Sequence, residues 1–156
     1  MKKIILILCL TICLLTLTSC GKIESYSDMK ELTYEKILTR SDYSSNGSYY
    51  VIIHRENCAV CQAVMPYATE YATLAKKDRS LSPIYSLNRS DKKNNAGITA
   101  ESGTTVNKGL GTDDYTEIKL CSTPVLIKVT NGRVVKLIDK KTQIIEEFNK
   151  LINRTK

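Results

Sequence analysis

The chain has 156 residues, 42% of them hydrophobic and 25% charged, with a formal net charge of +7. That length suits one ordinary domain with a core of its own. The positive excess is scattered over Lys76-Lys77, Lys92-Lys93 and Lys140-Lys141. Such scatter describes a solvated surface near an anionic membrane and argues against a nucleic-acid groove.

The chain opens with Lys2 and Lys3, then an almost wholly apolar run from Ile4 to Leu17. The run is short for a membrane-spanning helix and fits the apolar core of a signal peptide. Leu17-Thr18-Ser19-Cys20 then resembles a bacterial lipobox. Residues 1–19 are therefore expected to be a lipoprotein signal. Cys20 is expected to be lipidated, with palmitate among the acyl chains, and to hold the protein outside the cell membrane. An ordinary cleaved signal or an uncleaved anchor are the alternatives. Cleavage would remove Lys2, Lys3, Cys9 and Cys13, leaving a charge of +5 and, beside Cys20, the cysteines Cys58, Cys61 and Cys121. Three is an odd number, which argues against a scaffold stapled by several disulfides. An extracytoplasmic setting still permits a disulfide that cycles or one that stays oxidised.

Residues 20–32 read as a lipidated tether, polar from Gly21 to Asp28, and residues 33–156 as the folded domain. Thr33 fits the N-cap of a helix over Tyr34 to Arg40, with Leu32 and Ile37 as a hydrophobic staple. Ser41 to Ser48 reads as a loop. Tyr49 to His54 is apolar enough for a strand buried on both faces. Cys58-Ala59-Val60-Cys61 follows, at the junction with an amphipathic helix expected over Ala59 to Lys77. Cys61, Val64, Met65, Ala68, Tyr71, Ala72 and Ala75 share one face of that helix. Pro66 lies inside it and is expected to kink it. A thiol on the first helical turn feels the helix N-terminus, which favours the thiolate. The second cysteine is one turn away, close enough to close a disulfide, so the pair is laid out for dithiol/disulfide exchange.

Ile84 to Asn88 is a second short strand. Ser90 to Asp114 holds four glycines and few apolar residues. It reads as a long loop with one short helix near Thr105 to Leu110. Val125 to Val129 and Arg133 to Ile138 are β-rich runs joined by Asn131-Gly132, a strong hairpin signal. Thr142 fits the cap of a last helix with Ile144, Ile145, Phe148, Leu151 and Ile152 on one face. A strand–helix–strand unit followed by a hairpin and a helix implies an α/β fold, a mixed sheet with helices on both faces.

In this order the chain resembles the thioredoxin superfamily over about Thr33 to Ile152. Cys58-Ala59-Val60-Cys61 is similar to its redox motif, Pro66 to its helix-kinking proline, and Thr123-Pro124 to its cis-proline site. Within the superfamily the chain is similar to small lipoprotein thioredoxins of bacterial surfaces and to accessory proteins of bacteriocin export. The resemblance implies a thioredoxin-like fold: a central mixed sheet flanked by helices, ending in a hairpin and a helix. It implies that Cys58 attacks a substrate disulfide, that Cys61 resolves the mixed disulfide, and that the two form a disulfide. Pro124 would keep its peptide bond cis and leave the backbone of Thr123 open to an extended substrate. The alternative for Thr123-Pro124 is a trans proline at a strand entry.

The chain departs from the family pattern in two places. Asn57 stands where many thioredoxins have Trp, and Ile52 where many have a buried Asp that helps move protons. His54 and Glu56 are the nearest substitutes, although a strand-end histidine is more often only a polar edge residue. Cys121 reads as an auxiliary thiol or, more commonly, as a small buried hydrophobe. A metal held by His54, Cys58, Cys61 and Cys121 is disfavoured, because a zinc site usually shows two ligand pairs. Nine tyrosines against one phenylalanine carry no functional meaning at this level.

Two functions follow. The leading one is a membrane-anchored thiol–disulfide oxidoreductase that acts on disulfides of exported proteins or peptides. It would use no soluble cofactor and would be reset by a membrane redox partner. The other is an accessory lipoprotein that holds an exported peptide and keeps a non-cycling CxxC. Ala59-Val60 matches neither the Gly-Pro common in reductants nor the Pro-His common in strong oxidants, so the direction of exchange stays open.

Overall fold

Ser48–His54 forms the central strand, β1, buried along its length except at His54. Successive side chains of a strand point to opposite faces. Tyr49, Val51 and Ile53 accordingly enter one core while Tyr50 and Ile52 enter the other. This is why the run is continuously apolar. The computed structural model describes residues 21–39 and 47–155. The expected signal, Cys20 and most of the 41–48 loop lie outside them.

The sheet has four strands in the order β2-β1-β3-β4. Strand β2, Ile84–Asn88, runs parallel to β1 from Tyr50↔Ile84 to His54↔Asn88. Strand β3, Val125–Thr130, runs antiparallel to β1, and β4, Arg133–Ile138, antiparallel to β3. The sheet is therefore mixed, as expected. Asn131 and Gly132 turn the hairpin with φ of 50° and 75°. A two-residue turn of this kind needs both signs positive, which Asn and Gly tolerate.

One face of the sheet is covered by α1, Ala59–Lys77, and α2, Lys92–Ile98, lies on the other; α3, Lys141–Asn153, joins α1. Val64, Ala68, Tyr71, Ile144, Phe148 and Ile152 close a core with Tyr50, Ile52 and Leu126. Met65 and Ala75 are only half-buried at its rim. Pro66 is accommodated within an uninterrupted α1. Helix α3 starts two residues earlier than expected: Lys140 occupies its N-cap without a side-chain cap, and Thr142 lies inside the first turn.

The opposite face holds α2, Lys92–Ile98, and short 3-10 turns at Tyr34–Lys36 and Tyr115–Glu117. Here Leu32, Tyr34, Ile37, Ile98, Ile118 and Leu120 pack on Val51, Ile53 and Ile127. Three expectations are corrected on this face. Tyr34 opens a single 3-10 turn, and Thr33 makes no side-chain cap. Residues 92–98 are helical, although their sequence reads as a loop. Asp91 caps them by accepting from the Lys93 N–H at 3.1 Å. The Asn94 amide accepts from the Tyr34 N–H at 2.9 Å and donates to the Asn88 carbonyl at 2.9 Å. Gly97 lies against the Tyr34 ring, where a Cβ would have no room. Residues 105–110 are not helical; Lys108 instead bridges to Lys119 as an antiparallel pair.

A fourth correction concerns the expected tether. From Tyr26 onward it is part of the packed domain, with Tyr26, Met29 and Leu32 buried. The Leu32 N–H donates to the Ser86 carbonyl at 2.8 Å, and the Ser86 N–H to the Lys30 carbonyl at 3.1 Å. Alternating small and charged residues hid a segment whose every third residue is apolar. The tyrosines find a structural account here as well. Tyr26, Tyr34, Tyr49 and Tyr71 bury their rings and donate to the backbone carbonyls of Cys61, Ile118, Ile37 and Ser82. A tyrosine is stable in a core when its hydroxyl finds such a partner.

Candidate functional site

At the end of β1 the chain reverses through Arg55, Glu56 and Asn57. Asn57 has φ of 53°, a left-handed conformation that asparagine tolerates better than most residues. The turn leaves Cys58 extended at the N-cap of α1. Its Sγ accepts from the Cys61 N–H at 3.1 Å, and its carbonyl accepts from the Gln62 N–H at 3.0 Å. Cys58 and Cys61 are joined as a disulfide across a Cα–Cα distance of 5.2 Å. On reduction, a thiolate on Cys58 would keep the same N–H and the positive end of the helix dipole. Cys58 is 6% exposed and Cys61 2%, so the pair is recessed behind the exposed Val60.

The second part of the site comes from the far side of β1. Ile53 pairs with Val125, which carries the chain before β3 over Cys58. The Thr123-Pro124 bond is cis. The carbonyl oxygen and Oγ1 of Thr123 both lie 3.9 Å from Cys58 Sγ. The structure thus brings Cys58, Cys61, Thr123 and Pro124 into one site. Cys20 lies outside the described residues.

Asn107 holds this loop from behind, and nothing in its polar, glycine-rich surroundings marked it. Its Oδ1 accepts from the Cys121 N–H at 2.8 Å and from the Cys121 thiol at 3.3 Å. Its Nδ2 donates to Ser122 Oγ at 3.2 Å and to Asp139 Oδ2 at 2.9 Å. Cys121 is therefore a half-buried, hydrogen-bonded thiol and not the buried hydrophobe that is more common.

Tyr26 is the other unmarked residue. Its hydroxyl donates to the Cys61 carbonyl at 2.8 Å, and its ring stacks on His54 with centroids 4.2 Å apart. Burial pushes the Tyr26 phenol above its ordinary range. Burial also pulls the His54 imidazole down to about 4, partly offset by the negative charge of Glu56. His54 is thus neutral near pH 7. Glu56 is drawn toward β2, where it accepts from Asn88 Nδ2 at 3.2 Å. Among the described residues, neither side chain hydrogen-bonds to a cysteine. Ile52, fully buried, offers no proton acceptor.

A cavity of about 940 Å³ lies between residues 21–24 and the Pro66–Lys77 side of α1, and no cysteine lines it. It is a groove beside the N-terminal segment. The reactive geometry lies at the end of the sheet instead, where fixed donors meet the sulfurs. Among the described residues no three His, Cys, Asp or Glu side chains are grouped to hold a metal, and no helix is long and apolar enough to cross a membrane.

No protein-family model matches the sequence. No curated protein matches it either. Solved structures do. A chain of the ferredoxin:thioredoxin reductase–thioredoxin f2 complex superposes with a TM-score of 0.53 at 11% identity, covering 85% of this chain and 98% of that one. Thioredoxin F from spinach chloroplast, short form, gives 0.50 at 12% identity, covering 84% and 96%. Oxidised mitochondrial thioredoxin 3 from Saccharomyces cerevisiae gives 0.50 at 11% identity, covering 81% and 98%. At such identities the likeness is one of fold: this chain has the thioredoxin-like α/β fold, with a Cys58–Cys61 disulfide at the head of α1.

Proposed function

We propose that this protein is a thiol–disulfide oxidoreductase. One observation carries the reading: a disulfide that caps a helix, with the backbone of Thr123 set 3.9 Å from Cys58 Sγ. In the reducing direction the Cys58 thiolate attacks one sulfur of a substrate disulfide, and the other sulfur leaves as a thiolate. The Cys61 thiol then gives its proton to that thiolate, directly or through water. Its sulfur attacks Cys58, closing the Cys58–Cys61 disulfide and releasing the second substrate sulfur as a thiolate, which takes a proton from water to complete the dithiol. Two electrons pass to the substrate, and a dithiol partner must return them. The oxidising direction is the reverse. The Cys61 N–H supports the charge on Cys58 Sγ whenever it is a thiolate, and Thr123 pairs with an extended substrate chain.

The test is trapping. Cys61→Ser should accumulate mixed disulfides through Cys58, and Cys58→Ser should abolish exchange. Unchanged exchange by Cys58→Ser would overturn the reading. Client capture that persists in a double-serine variant would favour the accessory reading, which the buried Ile52 makes worth testing. The couple's potential sets the direction: about −270 mV marks a thioredoxin-like reductant and about −120 mV a strong oxidant.

The finer reading is that the protein works outside the cell membrane, anchored through acylated Cys20, on exported proteins or peptides, with a membrane partner that resets it. Lys2-Lys3, the apolar run to Leu17 and the small residues before Cys20 support it. Labelling with radioactive palmitate checks it: incorporation should vanish in Cys20→Ala. Incorporation that persists would refute the anchor at Cys20.

A further inference from the structure

We propose that Arg55 and Arg89 form a carboxylate-binding subsite that selects substrates with an acidic residue beside the reactive cysteine. The inference rests on the oxidoreductase reading and names its substrate class.

The last paired residues of the parallel strands are His54 and Asn88, and the Arg89 N–H donates to the His54 carbonyl at 2.7 Å. Arg55 and Arg89 therefore leave the sheet side by side, at the end that carries Cys58. The Arg89 guanidinium then reaches Thr99, donating to its Oγ1 at 3.3 Å. Thr99 bridges to Leu120, the residue before Cys121. The guanidinium thus stands against the root of the loop that ends in Thr123-Pro124.

Neither arginine makes an ion pair among the described residues. Glu56 is held by Asn88 and, through its N–H, by Ser90 Oγ. Asp91 is taken by Lys93 at 3.0 Å. Arg89 is half-buried, and both burial and the neighbouring charge of Arg55 weaken its hold on its proton. Two adjacent cations without a carboxylate are unfavourable when partly desolvated, and a bound anion relieves this. A guanidinium fork fits a carboxylate with two parallel hydrogen bonds. A substrate lying along Thr123 with its sulfur at Cys58 would present a flanking Asp or Glu to this pair.

The experiment compares two peptide disulfides that differ only in Glu or Gln beside the cysteine. The probes are exchange rates and affinities with the full-length protein at low and high salt. The acidic peptide should react about tenfold faster, through KM, as one charge-assisted hydrogen bond would give. The preference should shrink with salt and vanish in Arg55→Gln/Arg89→Gln, while the rate on the neutral peptide stays. Arg55→Gln alone, at an exposed position, should halve the effect or more without endangering the fold. Equal rates for both peptides in the unmodified protein, or a preference that survives the double change, would overturn the subsite. If neither peptide exchanges, the oxidoreductase reading fails by itself. The subsite then stands or falls on binding, and equal affinity for the two peptides would refute it.

Discussion

On one face of the sheet, α1 and α3 set Val64, Ala68, Tyr71, Ile144 and Phe148 at helical spacing against Tyr50, Ile52 and Leu126. On the other face, two 3-10 turns, the seven-residue α2 and an irregular crossing from 99 to 122 do the covering. The first face is held by apolar side chains that repeat. The second adds single polar side chains, Asn94 and Asn107, that satisfy distant backbone groups. The reactive site draws on both: the cysteines ride on the periodic face, while Thr123 is positioned by the irregular one. A regular element fixes where the sulfurs sit, and a hydrogen-bonded loop fixes what can approach them.

The comparison breaks hardest at Phe148, which is fully buried. Phe148→Ala should cost about 3–5 kcal/mol by emptying the α1–α3 core, read as a lowered midpoint in urea. Asn94→Ala should cost less, about 1–3 kcal/mol, because it strands the Tyr34 N–H and the Asn88 carbonyl. The same measurement ranks the two faces, and an Asn94 loss as large as that of Phe148 would contradict their division of labour. Asn107→Ala should cost about 1 kcal/mol in stability. It should slow exchange more than stability suggests, since it frees the Cys121–Ser122 backbone beside Thr123. Unaltered exchange kinetics would show that the loop holds itself.

At neutral pH His54 contributes least, and its effect shows only as a pH dependence. Its ordinary value is 6.5 and its folded value about 4, because burial disfavours the imidazolium. The folded state therefore refuses a proton that the unfolded chain takes up. Stability is fully present above pH 6.5 and is lost progressively as pH falls toward 4. Denaturation midpoints of His54→Gln, measured across that window, should fall less steeply than those of the unmodified protein.

What could be seen in the sequence was whatever repeats or punctuates. β1 announced itself by five consecutive strand-formers, Tyr49 to Ile53, α1 by the spacing from Cys61 to Ala72, and the hairpin by Asn131-Gly132. Cys58, Cys61 and the cis Thr123-Pro124 were legible because few residues can fill such positions. Helix α2 was not, since Lys-Lys-Asn-Asn-Ala-Gly-Ile has one large apolar residue and three poor helix formers, Asn94, Asn95 and Gly97. Its stability comes from Asp91 next door and from Tyr34, sixty positions earlier in the chain. Tyr26 and Asn107 were hidden for the same reason: their partners at Cys61 and Cys121 are close only after folding. A polar residue whose partner is remote in sequence leaves no periodic trace.

The segment 30–32 lies along the outer side of β2, giving and receiving backbone hydrogen bonds at Ser86. An uncovered strand at a sheet border is a template for the border of another molecule. These residues therefore act as a shield against self-association. Loss of the segment after a proteolytic clip between Leu32 and Tyr34 would keep both cysteines and the Thr123 loop in the remaining chain, without the Tyr26 hydrogen bond to the Cys61 carbonyl. It would also bare Tyr85 and Ile84 together with open N–H and C=O groups. The clipped protein should keep its chemistry for a time and be lost first to aggregation.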